Sequence, residues 1–291
     1  WTMTTWSDVY DELMGIAGRV PVLTFSGTWA RPGEGYPSDA VRMAGSRVVE
    51  VAVPAPWSFG PVGGPDPFAP SYRQSVSFAV EWAIDWLLRW RGPFILCGYS
   101  QGAEAASRVF EMAREAPDVC GQCLGGVTFG NPCRESRSGY RGIAEFRIKA
   151  TPSTWLDFVN GGDMYTEVPD DRTGAIMTQV YNLATNLQVN DPVELVRSMV
   201  RHVVALLEEL FGTSDLGGAA DRVLQDPKAG LALVSSRLLY GGLSGGVVSA
   251  ARALVILLRF LAQEPPTKPH ITYLESGAVH AAAEHIRALS G

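Results

Sequence analysis

The segment that most constrains this chain is Phe-Ile-Leu-Cys-Gly-Tyr-Ser-Gln-Gly-Ala, residues 94–103. Its first residues form an apolar run typical of a buried strand, and a helical pattern follows at 103–115. Glycines stand two places before and two places after Ser100, where they allow a strand and a helix to pass close together around a sharp turn. The segment predicts a nucleophile elbow that presents the Ser100 hydroxyl; the alternative is a glycine-rich turn with a purely structural role.

Composition and charge narrow the class of protein. The 291 residues are 46% hydrophobic and 19% charged, as in ordinary globular proteins. A net charge of −6 without a basic stripe argues against nucleic acid as a partner. No apolar stretch approaches the roughly 20 residues of a transmembrane span. The longest, 253–258, is closed by Arg252 and Arg259. The N-terminus has no basic region followed by a long apolar one, so we expect no signal peptide.

Four cysteines at this length do not indicate a disulfide framework. Cys97 lies in the elbow strand and is expected to be a small buried hydrophobe. The Cys-x-x-Cys spacing of Cys120 and Cys123, with Cys133 nearby, is compatible with zinc. However, no histidine or fourth cysteine lies near them, so we expect no metal. One disulfide among these three cysteines stays an open alternative.

Alternating strands and helices predict a central parallel sheet covered on both faces, and together with the elbow they indicate the α/β-hydrolase fold class. Besides the elbow strand, the strand candidates are 20–25, 48–53, 124–129 and, more weakly, 145–148 and 155–159. A helical pattern covers 71–91. In such sheets ligands bind at the carboxyl ends of the strands, where Ser100 would lie.

The pattern changes near Asp191-Pro192. From 191 to 263 apolar residues repeat at helical spacing, and three or four helices are expected. We therefore divide the chain into a hydrolase core at 1–190, a helical insertion at 191–263 and a returning core segment at 264–291. The insertion is either a cap packed on the core or a lid or apolar surface that contacts lipid or substrate.

A serine nucleophile needs a general base and a carboxylate that orients the base. Among four histidines, His270 lies in a loop after a proline-rich segment and is our predicted base. His202, His280 and His285 lie in helical patterns and are expected to be structural.

The orienting carboxylate is expected between Ser100 and His270 in the chain. Asp163 follows two glycines after a possible late strand, so a loop could hold it against the histidine. We predict Asp163 as the acid. The competing carboxylates are Asp157, Asp170 and Asp171.

Two backbone N–H groups, those of Thr28 and Gln101, are predicted to form the oxyanion hole. Thr28 follows the first strand and Gln101 begins the elbow helix. A long loop at 54–70 is a further candidate for a functional rim. Its aromatic side chains either line an acyl groove or pack the loop; they are Trp57, Phe59 and Phe68.

With these residues the sequence resembles the cutinase-like serine esterases and, within them, the lysin B proteins of mycobacteriophages. The resemblance rests on the elbow and on these short matches: Gly27-Thr28-Trp29, Phe129-Gly130-Asn131-Pro132 with Arg134-Glu135, Gly162-Asp163-Met164-Tyr165, and Pro269-His270 with Tyr273. The helical insertion between acid and histidine resembles the linker region of lysin B, which plain cutinases lack.

The resemblance implies a serine esterase that cuts the ester between mycolic acids and arabinogalactan in the mycobacterial envelope during phage lysis. Such an enzyme would be made in the host cytoplasm without a signal peptide, would act at the envelope after release, and would need no metal or cofactor. Two alternatives stay open: a cutinase-like esterase acting on other lipid esters, and a non-catalytic envelope-binding module. Ser100, Asp163 and His270 together argue against the second.

Overall fold

The computed structural model describes Ile16 and residues 18–60, 69–116, 122–186, 192–211, 217–240 and 245–291. A five-stranded parallel sheet in the order β2-β1-β3-β4-β6 forms the centre of these residues. Its strands are β1 (Val20–Phe25), β2 (Val48–Ala52), β3 (Phe94–Tyr99), β4 (Cys123–Phe129) and β6 (Trp155–Phe158). A small antiparallel ribbon pairs β5 (Tyr140–Arg141) with β7 (Val168–Pro169).

Helices cover both faces of the sheet. In chain order they are α1 (Tyr36–Ala44), α2 (Tyr72–Trp90), α3 (Gln101–Glu115), α4 (Arg172–Asn186), α5 (Pro192–Phe211), α6 (Gly217–Gln225), α7 (Pro227–Tyr240), α8 (Gly245–Leu261) and α9 (Ala278–Leu289), with a 3₁₀ turn at Lys268–Ile271. Helices α1 and α9 pack together on one face, and α2 and α3 pack on the other. This arrangement, with the elbow described below, is an α/β-hydrolase fold.

Strand β3 shows why the elbow strand is apolar at every position. Phe94 and Leu96 belong to the core on the α2 and α3 face, while Ile95 and Cys97 belong to the core on the α1 and α9 face. All four side chains are buried, because successive residues of a strand point to opposite faces and both faces carry helices.

One weak strand prediction is wrong. Residues 145–148 form a loop rather than a strand. Ile148 is fully buried, and its N–H donates to the carbonyl of Cys133. The apolar pattern there reflects a loop that inserts a side chain into the core.

Helices α5 to α8 occupy the region expected to be a helical insertion. Helix α8 packs against α4, α5 and α7. Its apolar side chains, including Ala253, Leu254, Leu257 and Leu258, are buried and join the core on the α2 and α3 face. The weak charge of this segment therefore corresponds to packing between helices. None of the described helices is both long and apolar enough to cross a membrane.

The closest backbone approach at the elbow is between α3 and β1. A Cβ atom added to Gly102 would lie 2.1 Å from the carbonyl oxygen of Phe25. A Cβ atom added to Gly98 would lie 2.6 Å from the carbonyl oxygen of Gly102. Both glycines are therefore required by steric contact with backbone atoms, which cannot rotate away as a side chain can.

We expect Gly102→Ala to lower the free energy of unfolding by at least about 3 kcal/mol, because the added methyl group must displace α3 from β1. Urea unfolding measures the change. Gly245→Ala is the matched control, since a Cβ atom at that position meets nothing within 4 Å. Equal stability of the two variants would contradict the steric argument.

Candidate active site

Ser100 occupies the sharp turn between β3 and α3. Its backbone has φ 53° and ψ −117°, a strained conformation for a residue with a Cβ atom. Its N–H donates to the carbonyl of Phe129 at 2.9 Å, which attaches the elbow to the end of β4. Because Gln101 begins α3, its N–H has no acceptor within the helix and lies beside the serine. The backbone thus provides the geometry of a nucleophile elbow.

The structure brings Ser100, His270 and Asp163 into one hydrogen-bonded chain. Nε2 of His270 lies 2.9 Å from Oγ of Ser100, and Nδ1 of the same ring lies 2.9 Å from Oδ2 of Asp163. His270 is 3% exposed and Asp163 is fully buried. In the tautomer with its proton on Nδ1, the imidazole donates to Asp163 and can accept the serine proton through Nε2.

The Asp163 carboxylate has two further donors besides the histidine. The N–H of Tyr165 donates to Oδ1 at 3.0 Å, and the hydroxyl of Tyr273 donates to Oδ2 at 2.6 Å. Burial, followed by the charge of Asp163, raises the pKa of Tyr273 well above its usual value, so the phenol keeps the proton that it donates. Sequence reasoning gave Tyr273 no role in the site.

His270 is fixed by its surroundings on several sides. The Tyr99 hydroxyl donates to the His270 carbonyl at 2.9 Å. The side chain of Asn160 donates to the carbonyl of the preceding proline at 2.8 Å. The ring of Tyr165 lies 4.4 Å from the imidazole, measured between centroids. A Cβ atom at Gly130 would lie 2.6 Å from Cε1 of His270, so this glycine leaves the space that the imidazole fills.

The three competing carboxylates have other partners. Asp170 forms an ion pair with Arg141, and Asp171 accepts hydrogen bonds from backbone N–H groups at the start of α4. Oδ1 of Asp157 accepts hydrogen bonds from Thr128, Asn131 and Trp155. Asp157 therefore holds the end of β4 and the loop after it.

Ser100 and His270 face a small cavity of about 60 Å³. Thr28 lines this cavity, and Gln101 begins the helix that follows the serine. The Gln101 side chain is fully buried and donates to the carbonyls of Ser58 and Tyr72. This side chain connects the long loop and the start of α2 to the elbow, which gives the residue after the serine a structural role as well.

The aromatic residues of the long loop have different positions. Phe59 lines the cavity. Trp57 is fully buried, with its ring 6.4 Å from that of Phe25, so it packs the loop against the core and has no surface for substrate. Phe68 lies outside the described residues.

The other histidines and the described cysteines are not part of the hydrogen-bonded chain from Ser100 to Asp163. Nδ1 of His202 is 2.8 Å from the Ser198 carbonyl, Nε2 of His285 is 3.0 Å from the Thr154 carbonyl, and His280 is exposed on α9. Cys97 and Cys133 are buried free thiols, Cys123 is half-buried, and Cys120 is outside the described residues. Within those residues, no three His, Cys, Asp or Glu side chains are grouped as metal ligands would be.

Comparisons with known proteins give distant similarity only. No family model matches the chain, and no curated protein matches its sequence. Among solved structures, a cutinase-like protein from Cryptococcus sp. shares 16% identity over 40% of this chain and 56% of its own length, with a TM-score of 0.31. The catalytic core of acetyl xylan esterase from Trichoderma reesei shares 18% identity over 59% of this chain and 99% of its own, with a TM-score of 0.40.

A further similar structure is the Vlm2 thioesterase domain, at 14% identity over 84% of this chain and 65% of that chain, with a TM-score of 0.27. The cutinase-like protein and this domain are thus each matched over less than two thirds of their length. The assignment of the fold depends on the sheet order and the elbow of this chain.

We expect Asp163→Asn to lower kcat for p-nitrophenyl butyrate by about 10³-fold or more, because the amide favours the wrong histidine tautomer. An Asn side chain that donates to Nδ1 leaves the proton on Nε2, which then cannot accept the serine proton. Asp170→Asn, at a 44% exposed side chain that pairs with Arg141, is the control and should keep normal turnover. Similar kcat values for the two variants would exclude Asp163 as the orienting acid.

We expect Tyr273→Phe to reduce kcat about tenfold while KM stays unchanged, since one hydrogen bond to a charged group is worth about 1.5–3 kcal/mol and only part of it bears on catalysis. Asp163 would keep its contacts with Tyr165 and His270 but lose the donor that fixes Oδ2. Steady-state kinetics with a short-chain ester separate the two constants. A rise in KM at constant kcat would indicate that Tyr273 shapes the substrate pocket instead.

Proposed function

We propose that this protein is a serine hydrolase of carboxylic esters. The observation that carries the proposal is the continuous chain from Oγ of Ser100 through the imidazole of His270 to the buried carboxylate of Asp163, with 2.9 Å at each step. The strained elbow places this hydroxyl at the carboxyl end of β3, facing a cavity. Together they supply an activated nucleophile and a base held in orientation.

Each residue has a defined part in the proposed reaction. Oγ of Ser100 attacks the ester carbonyl while Nε2 of His270 takes its proton, and Asp163 stabilises the imidazolium that results. The backbone N–H groups of Thr28 and Gln101 stabilise the oxyanion. His270 then protonates the leaving alcohol, and an acyl-enzyme remains on Ser100. A water molecule, deprotonated by the same histidine, releases the acid.

The surface around the cavity favours a lipid ester as substrate. Trp29 and Ile271 both line the cavity, and their side chains are 41% and 40% exposed. Leu274, three residues after Ile271, is 44% exposed. Large exposed apolar side chains around a reactive serine suit a water-insoluble acyl group better than a polar one.

Among lipid esters, we propose the ester of mycolic acid with arabinogalactan as the natural substrate. Support comes from the resemblance of the sequence to lysin B and from the helical region between the acid and the histidine. In this proposal the protein acts at the mycobacterial envelope late in phage infection, after synthesis in the host cytoplasm. The contact with lipid is made at the exposed apolar side chains around the cavity, with α8 serving the packing of the helical region.

The test compares the wild type with Ser100→Ala on two substrates, purified mycolylarabinogalactan and p-nitrophenyl butyrate. We expect both free mycolic acid and nitrophenol from the wild type, and a loss of at least about 10³-fold in each with the variant, because no other group can form the acyl-enzyme. A fluorophosphonate should label the wild type at Ser100 and leave the variant unlabelled.

The outcomes separate the levels of the proposal. If only the butyrate ester were hydrolysed, the proposed envelope substrate would be wrong and the proposed esterase activity would stand. A folded wild type that neither hydrolyses the ester nor reacts with the fluorophosphonate would overturn the enzymatic function and favour a binding module.

A further inference from the structure

A second and much larger cavity lies beside the catalytic one. It is a groove of about 780 Å³ between α2, α3, α4 and the loop at 144–146. The apolar side chains that line it are Val76, Val80, Met112, Ala144 and Phe146. Its volume is within the range of about 300–1,000 Å³ typical of small-molecule sites, whereas the catalytic cavity is much smaller. We call it the α3 groove.

The α3 groove and the catalytic cavity share a wall. Tyr72, the first residue of α2, and Tyr181 of α4 line both spaces. The Tyr181 hydroxyl donates to that of Tyr72 at 3.2 Å, and the Tyr72 hydroxyl donates to Glu104 at 2.9 Å. At this point the phenol rings of Tyr72 and Tyr181 lie between the catalytic cavity and the groove.

Several polar groups along the α3 groove already have partners within the protein, whereas Arg73, Glu81 and Glu115 line it with exposed side chains. Glu104 accepts hydrogen bonds from Arg108 as well as Tyr72. Glu145 accepts one from Asn182. A ligand therefore need not supply donors or acceptors to them. Because the exposed charged side chains keep their water, the surface that a ligand can bury is the apolar lining, which favours an alkyl chain.

The direction of the α3 groove fits an acyl chain that is attached to Ser100. Helices α2 and α3 both begin at the catalytic cavity, since Tyr72 lines it and Gln101 follows the serine. The groove follows both helices away from this end, to Glu81 on α2 and Glu115 on α3. A helix rises about 1.5 Å per residue, so the groove extends roughly 15 Å from the catalytic end.

We propose that the α3 groove binds the alkyl chain of the acyl group, which reaches it from Ser100 across the Tyr72 and Tyr181 pair. The inference rests on the proposed ester hydrolysis and assigns to it esters whose acyl group carries a long alkyl chain. Short acyl groups fit the catalytic cavity alone and do not use the groove.

Two exposed positions allow the α3 groove to be filled without disturbing the core. Ser77 on α2 and Met112 on α3 both line it, and both are exposed. Ser77 is five residues beyond Tyr72, or about 7.5 Å along its helix, and Met112 is eight residues beyond Glu104, or about 12 Å. A tryptophan at 77 would therefore block the groove nearer to the serine than one at 112.

The experiment measures kcat/KM of the wild type, Ser77→Trp and Met112→Trp with p-nitrophenyl butyrate, octanoate and palmitate. We expect kcat/KM for the palmitate ester to fall at least about tenfold in both variants, since each methylene kept out of the groove costs roughly fourfold in affinity. The value for the octanoate ester should fall only in Ser77→Trp. The value for the butyrate ester should stay within about twofold of the wild type in both variants, because butyrate does not reach the groove.

Leu88→Trp is the matched control, an exposed apolar residue on α2 outside the groove, and should leave all three esters unchanged. The groove proposal would be overturned if kcat/KM fell equally for all three esters, or if it did not fall for the palmitate ester. Ser100-dependent hydrolysis of the butyrate ester would still support the esterase. In that case the chain lies on the exposed side of the cavity, near Trp29. A wild type without activity on any of the three esters would overturn both proposals.

Discussion

The close contact between Gly102 and the carbonyl of Phe25 is the constraint on which the rest of the site depends. It sets the distance between α3 and the sheet, and thereby forces Ser100 into a conformation that side chains usually avoid. The same placement puts the first N–H of α3 beside the serine and lets Gln101 hold the long loop. A helix packed further from β1 would lose all three relationships together.

The second constraint is the buried carboxylate of Asp163. A charge removed from water must be compensated by donors, and Tyr165, His270 and Tyr273 supply them. Because the histidine is one of these donors, the requirement to satisfy the charge also fixes the imidazole. The site is thus held in place by the same hydrogen bonds that make the buried charge tolerable.

The sequence predicted what local patterns encode. The elbow, the strand at β1 and the helix after the long loop all follow from periodicity and glycine placement, and the structure has them within a few residues. The strand prediction at 145–148 failed because a loop that buries one isoleucine has the same apolar pattern as a short strand. Asp163 and His270 could be proposed because their order in the chain is restricted.

Other features depend on contacts between distant parts of the chain. Tyr273 donates a hydrogen bond to Asp163 although 110 residues separate them in the chain. A tyrosine three residues after a histidine is not a distinctive pattern, so the sequence did not indicate this contact. The sequence left open whether Trp57 lines a groove or packs the loop, because its burial is decided by the packing of the loop on β1. The α3 groove belongs to three helices at once, so no single segment of the sequence could indicate it.

The attachment of His270 has a consequence for how the protein is assembled. The base is 170 residues from its nucleophile, and it lies in the 3₁₀ turn at Lys268–Ile271, which comes after α8 in the chain. The N–H of Thr267 donates to the carbonyl of Phe260 near the end of that helix, and the Phe260 ring contacts Tyr165. Local opening of α8 would therefore loosen the segment that leads to the imidazole. The nucleophile and its base lie far apart in the chain, so the catalytic pair is complete only once the segment after α8 has packed against the sheet.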